Sequence, residues 1–177
     1  MAPCLRATSA LSSLPSTSST SETINKYKVD IAEERKNQIA EEIKIIKIKE
    51  FITKENLNLL FDYKIDFVID AIDTVKTKEE IIKKCLKKKI KFISVMGTGG
   101  KMDPSLLEIT DLSKTSYDKI AKKIRNDFKK EKINDKIKVI SSIEKPVITS
   151  PIGSNSFLPA TAGLLAASYA INTLLKE

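Results

Sequence analysis

Histidine and tryptophan are absent from the 177 residues of this chain, and glycine occurs at only five positions. Without histidine there is no imidazole base, so Ser-His-Asp and Cys-His catalytic centres are excluded together with His-containing metal sites. Cys4 and Cys85 are the only cysteines, too few for a zinc site or a disulfide framework. The glycines, Gly97, Gly99, Gly100, Gly153 and Gly163, fit neither G-x-G-x-x-G nor G-x-x-x-x-G-K-[ST]. Neither type of complete phosphate-cradling loop is therefore available. What remains is 41% hydrophobic and 31% charged, the balance of a soluble globular chain with the length of one domain.

Positive charge is plentiful and unevenly placed. The 31 Lys and Arg outnumber 23 Asp and Glu, for a net charge of +8. Residues 76–91 and 113–138 each carry about +6 by count of their side chains, and the rest of the chain is negative. Concentrated positive segments suit a polyanionic partner such as a nucleic acid. Lys- and Ile-rich usage also follows from compositional bias on any solvated face, so charge alone leaves nucleic-acid contact open.

Residues 1–21 are rich in Ser, Thr and Ala, contain one Arg and no acid, and lack an apolar period. That composition predicts a disordered or transit-like tail, which sets a cytoplasmic chain against an organellar one. No secretory h-region is present. The pattern then predicts a helix over 28–43, a strand over 43–48, and a buried parallel strand over 65–69 ending at Asp70. Thr77-Lys78-Glu79-Glu80 reads as a capping box with Thr77 as N-cap, opening a helix whose inner face is Ile81, Ile82, Cys85 and Leu86. A strand over 90–95 runs straight into the glycine loop.

Further on, 106–109 reads as a short strand. An amphipathic helix follows, with Tyr117, Ile120, Ala121, Ile124 and Phe128 inside and Lys119, Lys122, Lys123, Asn126, Lys129 and Lys130 outside. Val139-Ile140 predicts another strand. Pro146, Pro151 and Gly153 mark a loop, and 158–175 reads as a buried core helix instead of a membrane span. Alternating strands and helices with short connections predict an α/β fold with a mainly parallel sheet.

Ligands of open parallel sheets bind beyond the carboxyl ends of the strands. Two such ends stand out: Asp70-Ala71-Ile72-Asp73 and Met96-Gly97-Thr98-Gly99-Gly100-Lys101-Met102-Asp103-Pro104. Asp73 is placed either to hold Mg²⁺ on nucleotide phosphates or to serve as a turn or cap residue. The glycine loop is either a substrate-facing loop or a tight turn needing positive φ. Lys28 heads a helix, where its charge opposes the dipole, a hint that it serves a ligand.

These residues resemble the tRNA threonylcarbamoyladenosine dehydratases of the ThiF/MoeB superfamily, which shares the ubiquitin-activating-enzyme fold. The resemblance rests on FVIDAIDTVKTK…CLKKKIKFISVMGTGGKMDP, on ITDLSKTSYDKIAKKIR at 109–125, on SSIEKPV from Ser141, and on PIGSNSFLPATAGLLAA from Pro151. Upstream, SETINKYKVDIAEER at 21–35 is similar to the family's T-[IV]-G-K-x-K-x-E segment. It covers about residues 21–177, and the DAIDT plus MGxGxKxDP pair in this order is specific.

The resemblance implies a Rossmann-like ThiF/MoeB sheet and an ATP-dependent reaction. The threonyl carboxylate of threonylcarbamoyladenosine beside the tRNA anticodon is adenylated, and cyclisation expels AMP. It implies Lys28 on the ATP phosphates, and Asp73 as Mg²⁺ ligand and the catalytic residue. It also implies Gly97, Gly99, Gly100, Lys101 and Asp103 on the substrate side. It favours tRNA contact by Lys119, Lys122, Lys123, Arg125, Lys129 and Lys130, and a homodimer without a membrane.

Two departures stand against it. The family's opening strand and glycine-rich nucleotide loop are replaced by the glycine-free residues 1–21, and Asn25 stands where the family has Gly. The chain therefore reads as a 1–21 tail plus an N-terminally incomplete domain over 22–177, a truncated copy whose own activity the missing loop leaves open. One alternative is a non-catalytic remnant that binds tRNA or pairs with a paralogue. The other is a sulfur-carrier adenylyltransferase, which usually carries Cys-x-x-Cys pairs that this chain lacks.

Overall fold

A computed structural model of the chain describes the backbone of residues 7–10 and, with side chains, residues 26–147, 153 and 155–176. Asn25, Pro151 and the rest of the 1–21 tail lie outside the described residues. The elements are β1 (Ala7–Ala10), α1 (Lys28–Asn37), α2 (Asn58–Phe61), β2 (Phe67–Asp70), α3 (Val75–Lys88), β3 (Lys91–Val95), β4 (Leu107–Asp111), α4 (Lys119–Lys130), β5 (Lys138–Ser142) and α5 (Phe157–Leu174). They form one sheet in the order β1-β2-β3-β5-β4. Every neighbouring pair is parallel except β4 with β5. The mainly parallel α/β sheet expected from the sequence is what the chain builds.

Alternation along the strands divides the core into two layers. Phe67, Ile93 and Ile140 point to one face of the sheet, where Ala162, Ala166 and Ala170 of α5 cover them. Val68, Ile72 and Val139 belong to the opposite face, under Ile81, Ile82 and Cys85 of α3 and Ala121, Ile124 and Phe128 of α4. Alanines four residues apart let α5 lie close to the strands. The price of that arrangement is that α5 is buried along one stripe only, since Phe157, Leu164, Ile171 and Leu175 are exposed. It is a half-covered helix, not the fully buried one the sequence predicts. By length and composition it is also apolar enough to cross a membrane.

The remaining departures have local causes. The predicted helix over 28–43 ends at Asn37 and buries no residue; ion pairs of Lys47 with Asp30 and Glu33, and of Lys49 with Asp30, hold it instead. The alternating segment 43–48 is not a strand, although its pattern asks for one. A strand needs a neighbour for its backbone groups, and none is paired with it among the described residues. Ile39, Ile43, Ile46 and Phe51 are left exposed there. Within the stretch predicted as a tail, Ala7–Ala10 runs parallel beside β2, with Ala7 opposite Phe67 and Ala10 opposite Asp70.

The capping box is also displaced. Helix α3 begins at Val75 with Thr74 as N-cap, and no side chain caps it. Thr77 lies inside the first turns, where its hydroxyl donates to Ile52 O at 3.3 Å, and Glu80 pairs with Lys83. Lys78, in the first turns of this helix, is wholly buried against the sheet.

Candidate functional site

Parallel register sets Asp70 of β2 directly beside Ser94 of β3, both at carboxyl ends and both wholly buried. Lys78 descends from α3 onto the pair. Its Nζ lies 2.8 Å from Asp70 Oδ2, donates to Ser94 Oγ at 3.2 Å and donates to Val95 O at 2.9 Å. Ser94 Oγ in turn donates to Asp70 Oδ2 at 2.6 Å. The remaining carboxylate oxygen, Oδ1, accepts the Ile72 amide at 3.0 Å. A buried ion pair is tolerated when its hydrogen bonds are met in this way. The network ties the turn that carries Asp73 to the strand that feeds the glycine loop. Sequence reasoning missed it, because only the β2–β3 register brings Asp70 and Ser94 side by side; the sole signal was an Asp closing one apolar run and a Ser inside the next.

Asp73 stands exposed between the end of β2 and the start of α3, at the carboxyl edge where the topology predicts a ligand. The described residues hold no cluster of three or more metal-ligating side chains. A single carboxylate suits Mg²⁺ only when nucleotide phosphates supply further oxygens, and Asp73 fits that role and not a protein-only cage. Lys28 is exposed at the head of α1. That helix is anchored to Lys47 and Lys49.

The loop after β3 is rigidly held. Gly100 has φ of 73°, the left-handed conformation that favours glycine. Its amide donates to Gly153 O at 2.9 Å and its carbonyl accepts the Val147 amide at 2.6 Å. Gly97 lies close to α4, where a Cβ would stand in ordinary contact with Asp118 Oδ2 at 3.4 Å. Gly99 is exposed. Asp103 is exposed and caps the short turn Pro104–Leu106 by accepting the Ser105 amide. Glu144 accepts the amides of Met102 and Asp103, and Asn155 Nδ2 donates to Lys101 O.

Lys101 is turned inward. Its Nζ donates to Ser142 O at 3.1 Å and stands 3.7 Å from Asp118 Oδ2, and burial holds its pKa below the ordinary lysine value. Asp118 caps α4 by accepting the Ala121 amide at 2.8 Å. The loop is thereby fixed against the first turn of α4.

On α4, Lys119, Lys122, Lys123, Lys129 and Lys130 are exposed. Lys123 and Lys130 pair with Asp127. Arg125 is occupied differently: its guanidinium donates to the carbonyls of Leu112 and Thr115 and to the Thr115 hydroxyl, so it braces the turn before α4. Cys85 is buried and unpaired, with its thiol pushed up to about 12 by burial, which leaves it inert as a nucleophile.

Residues 15–177 match the model of the ThiF family. The chain belongs to that family. It is 37% identical over 174 residues to the tRNA threonylcarbamoyladenosine dehydratase of Bacillus subtilis, the match covering 88% of this chain and 68% of that protein. The Haemophilus influenzae dehydratase is 33% identical, with the same shares. Among solved structures, the Escherichia coli tRNA N6-threonylcarbamoyladenosine dehydratase in complex with AMP superposes with a TM-score of 0.83 at 28% identity, over 90% of this chain and 68% of that one. The same protein in complex with ATP gives 0.82 at 28% identity over the same shares. This ThiF-family chain thus shares its fold with the Escherichia coli dehydratase.

Proposed function

We propose that this ThiF-family chain uses ATP to dehydrate threonylcarbamoyladenosine in tRNA. The threonyl carboxylate attacks the α-phosphorus of ATP and releases pyrophosphate; ring closure on the activated carboxyl then expels AMP, for a net loss of one water. Asp73 would hold Mg²⁺ against the phosphates, where the metal offsets charge developing on the departing pyrophosphate. Lys28 would add a cation to the same phosphates. Gly97, Gly99 and Gly100 shape the substrate side of the crevice, with Asp103 at its rim and Lys101 locking it from beneath. The lysines of α4 would meet tRNA phosphates, and the working form would be a homodimer.

The observation that carries this reading is the position of Asp73 and the glycine loop, side by side at the carboxyl ends of β2 and β3 in a chain 37% identical to a known dehydratase. Thermal unfolding with ATP and Mg²⁺ tests it. Millimolar ATP with Mg²⁺ should raise the melting temperature, since any ligand bound only by the folded state stabilises it. Asp73→Ala should leave a smaller shift that no longer depends on Mg²⁺. An unchanged melting temperature would sink the nucleotide reading.

One observation favours a second reading, in which the chain binds tRNA without turnover. Its five glycines supply no complete phosphate loop. In that case tRNA binds while nucleotide leaves the melting temperature unmoved.

A further inference from the structure

Two segments that are separate in sequence, each strongly basic, become neighbours in the fold. Helices α3 and α4 lie on the same side of the sheet and pack against one another. Lys83 of α3 pairs with Glu131 beyond the end of α4 and stands over the Phe128 ring at 5.7 Å. The acids of this pair of helices are spent at the seam or beneath it. Glu79 is buried, and Glu80 and Glu131 both pair with Lys83. Asp127 takes Lys123 and Lys130, and Asp118 is buried as the α4 cap.

The outward face that remains is cationic. Lys76 and Lys87 are exposed on α3, three turns apart on the same side and about 16 Å along the axis. Lys122 and Lys129 are exposed on α4, two turns apart on one side. None of these four makes an ion pair among the described residues. Lys78, by contrast, leaves the count altogether, because it is consumed by Asp70.

We propose that α3 and α4 form a single two-helix cationic face for an RNA backbone, so that Lys76 and Lys87 of α3 contact RNA phosphates together with Lys122 and Lys129 of α4. The inference rests on the tRNA reading above and extends it to a helix which that reading left out. Helix axes packed in this way lie about 8–10 Å apart. Lys123, Asp127 and Glu131 occupy the seam with α3, so Lys122 and Lys129 stand on the outer flank of α4. The face thus presents two well-separated rows of cations that a folded RNA backbone can span. Contacts of this kind position the RNA without reading its sequence. Each adds close to one unit to the slope of log affinity against log salt. The face begins at the α4 turn that clamps the glycine loop through Asp118 and Lys101, so RNA held there ends beside the candidate crevice.

Titration of an unmodified tRNA transcript at several salt concentrations tests the inference. It compares the wild-type chain with Lys76→Glu/Lys87→Glu, with Lys122→Glu/Lys129→Glu, and with Lys54→Glu/Lys145→Glu, whose positions are on neither helix. Both helix variants should weaken binding about tenfold or more at low salt and flatten the salt slope by about one to two units. The off-helix variant should stay near wild type. If the α4 variant weakens binding and the α3 variant does not, the two-helix face is overturned while the tRNA reading stands. If the off-helix variant weakens binding as much as the others, no face has been selected and the inference fails. If the wild-type chain binds no tRNA, the tRNA reading itself falls. All substituted lysines are exposed, and matching melting temperatures confirm that each variant is folded.

Discussion

Asp70, Lys78 and Ser94 place an ionised pair at the buried end of two parallel strands, where neither charge can be solvated. Side-chain exposure is 1% for Lys78 and 0% for Asp70. Removing one member leaves the other charge buried without a partner, which costs about 3–5 kcal/mol. Lys78→Met should therefore lower the free energy of unfolding by about that much in denaturant titration. The double variant Asp70→Asn/Lys78→Met should cost clearly less than the sum of the two single changes, because residues in one network are not additive. Additive losses would show that the pair is not coupled. The consequence reaches beyond stability. Asp70 Oδ1 holds the Ile72 amide one residue before Asp73, so the same pair orients the proposed metal ligand. At this scale Asp73 and the glycines were legible as a pattern, but the network beneath them was not. A Lys in a helix reads as surface until the register of two strands shows where it points.

At the scale of elements, the contact of α3 with α4 contains a carboxyl in an unfavourable place. Glu79 is buried, its Oε1 has no hydrogen-bond partner among the described residues, and Asp127 of α4 lies against it. Burial first, and the charge of Asp127 second, raise its pKa above the ordinary 4.5. A carboxyl whose folded pKa is raised contributes stability that is complete below the unfolded value. That contribution is lost as pH climbs through the folded value. Near neutrality the wild-type seam carries that penalty, and Glu79→Gln removes it. The variant should be the more stable at pH 7, and its advantage should shrink to nothing below about pH 4.5. Denaturation midpoints across pH 4–8 check the sign; a variant less stable at pH 7 refutes it. The elements themselves were largely legible. The strands ending at Asp70 and Val95, the amphipathic α4 and the closing helix all follow from periodicity, because each has one apolar face to bury. The boundaries of α1 and α3, and the missing strand at 43–48, were not legible. They depend on ion pairs and on neighbours that periodicity does not report.

Over the whole molecule, the placement of α5 is what the sequence misjudged. Eighteen mostly apolar residues suggest a helix covered on all sides, and a three-layer sandwich covers it on one. The sheet takes the alanine stripe and the wholly buried Leu158, while other large side chains are turned out: Leu164 is 72% exposed and Ile171 48%. Large apolar side chains on the outward side depart from the usual amphipathic order of a surface helix. A contiguous apolar stripe of this sort marks an interaction surface more often than a solvated one. The homodimer proposed above would use it, since a two-fold axis along such a stripe sets each copy's leucines against the other's. Sedimentation velocity at tens of micromolar should then show a dimer. Leu164→Glu/Ile171→Glu should return it to a monomer, because two charges would be buried against an apolar surface. Both side chains are exposed within one copy, so the monomeric variant should keep its circular dichroism spectrum. A wild-type chain that sediments as a monomer at that concentration, or a variant that remains dimeric, would remove α5 from the interface and leave its outward leucines without the role assigned to them here.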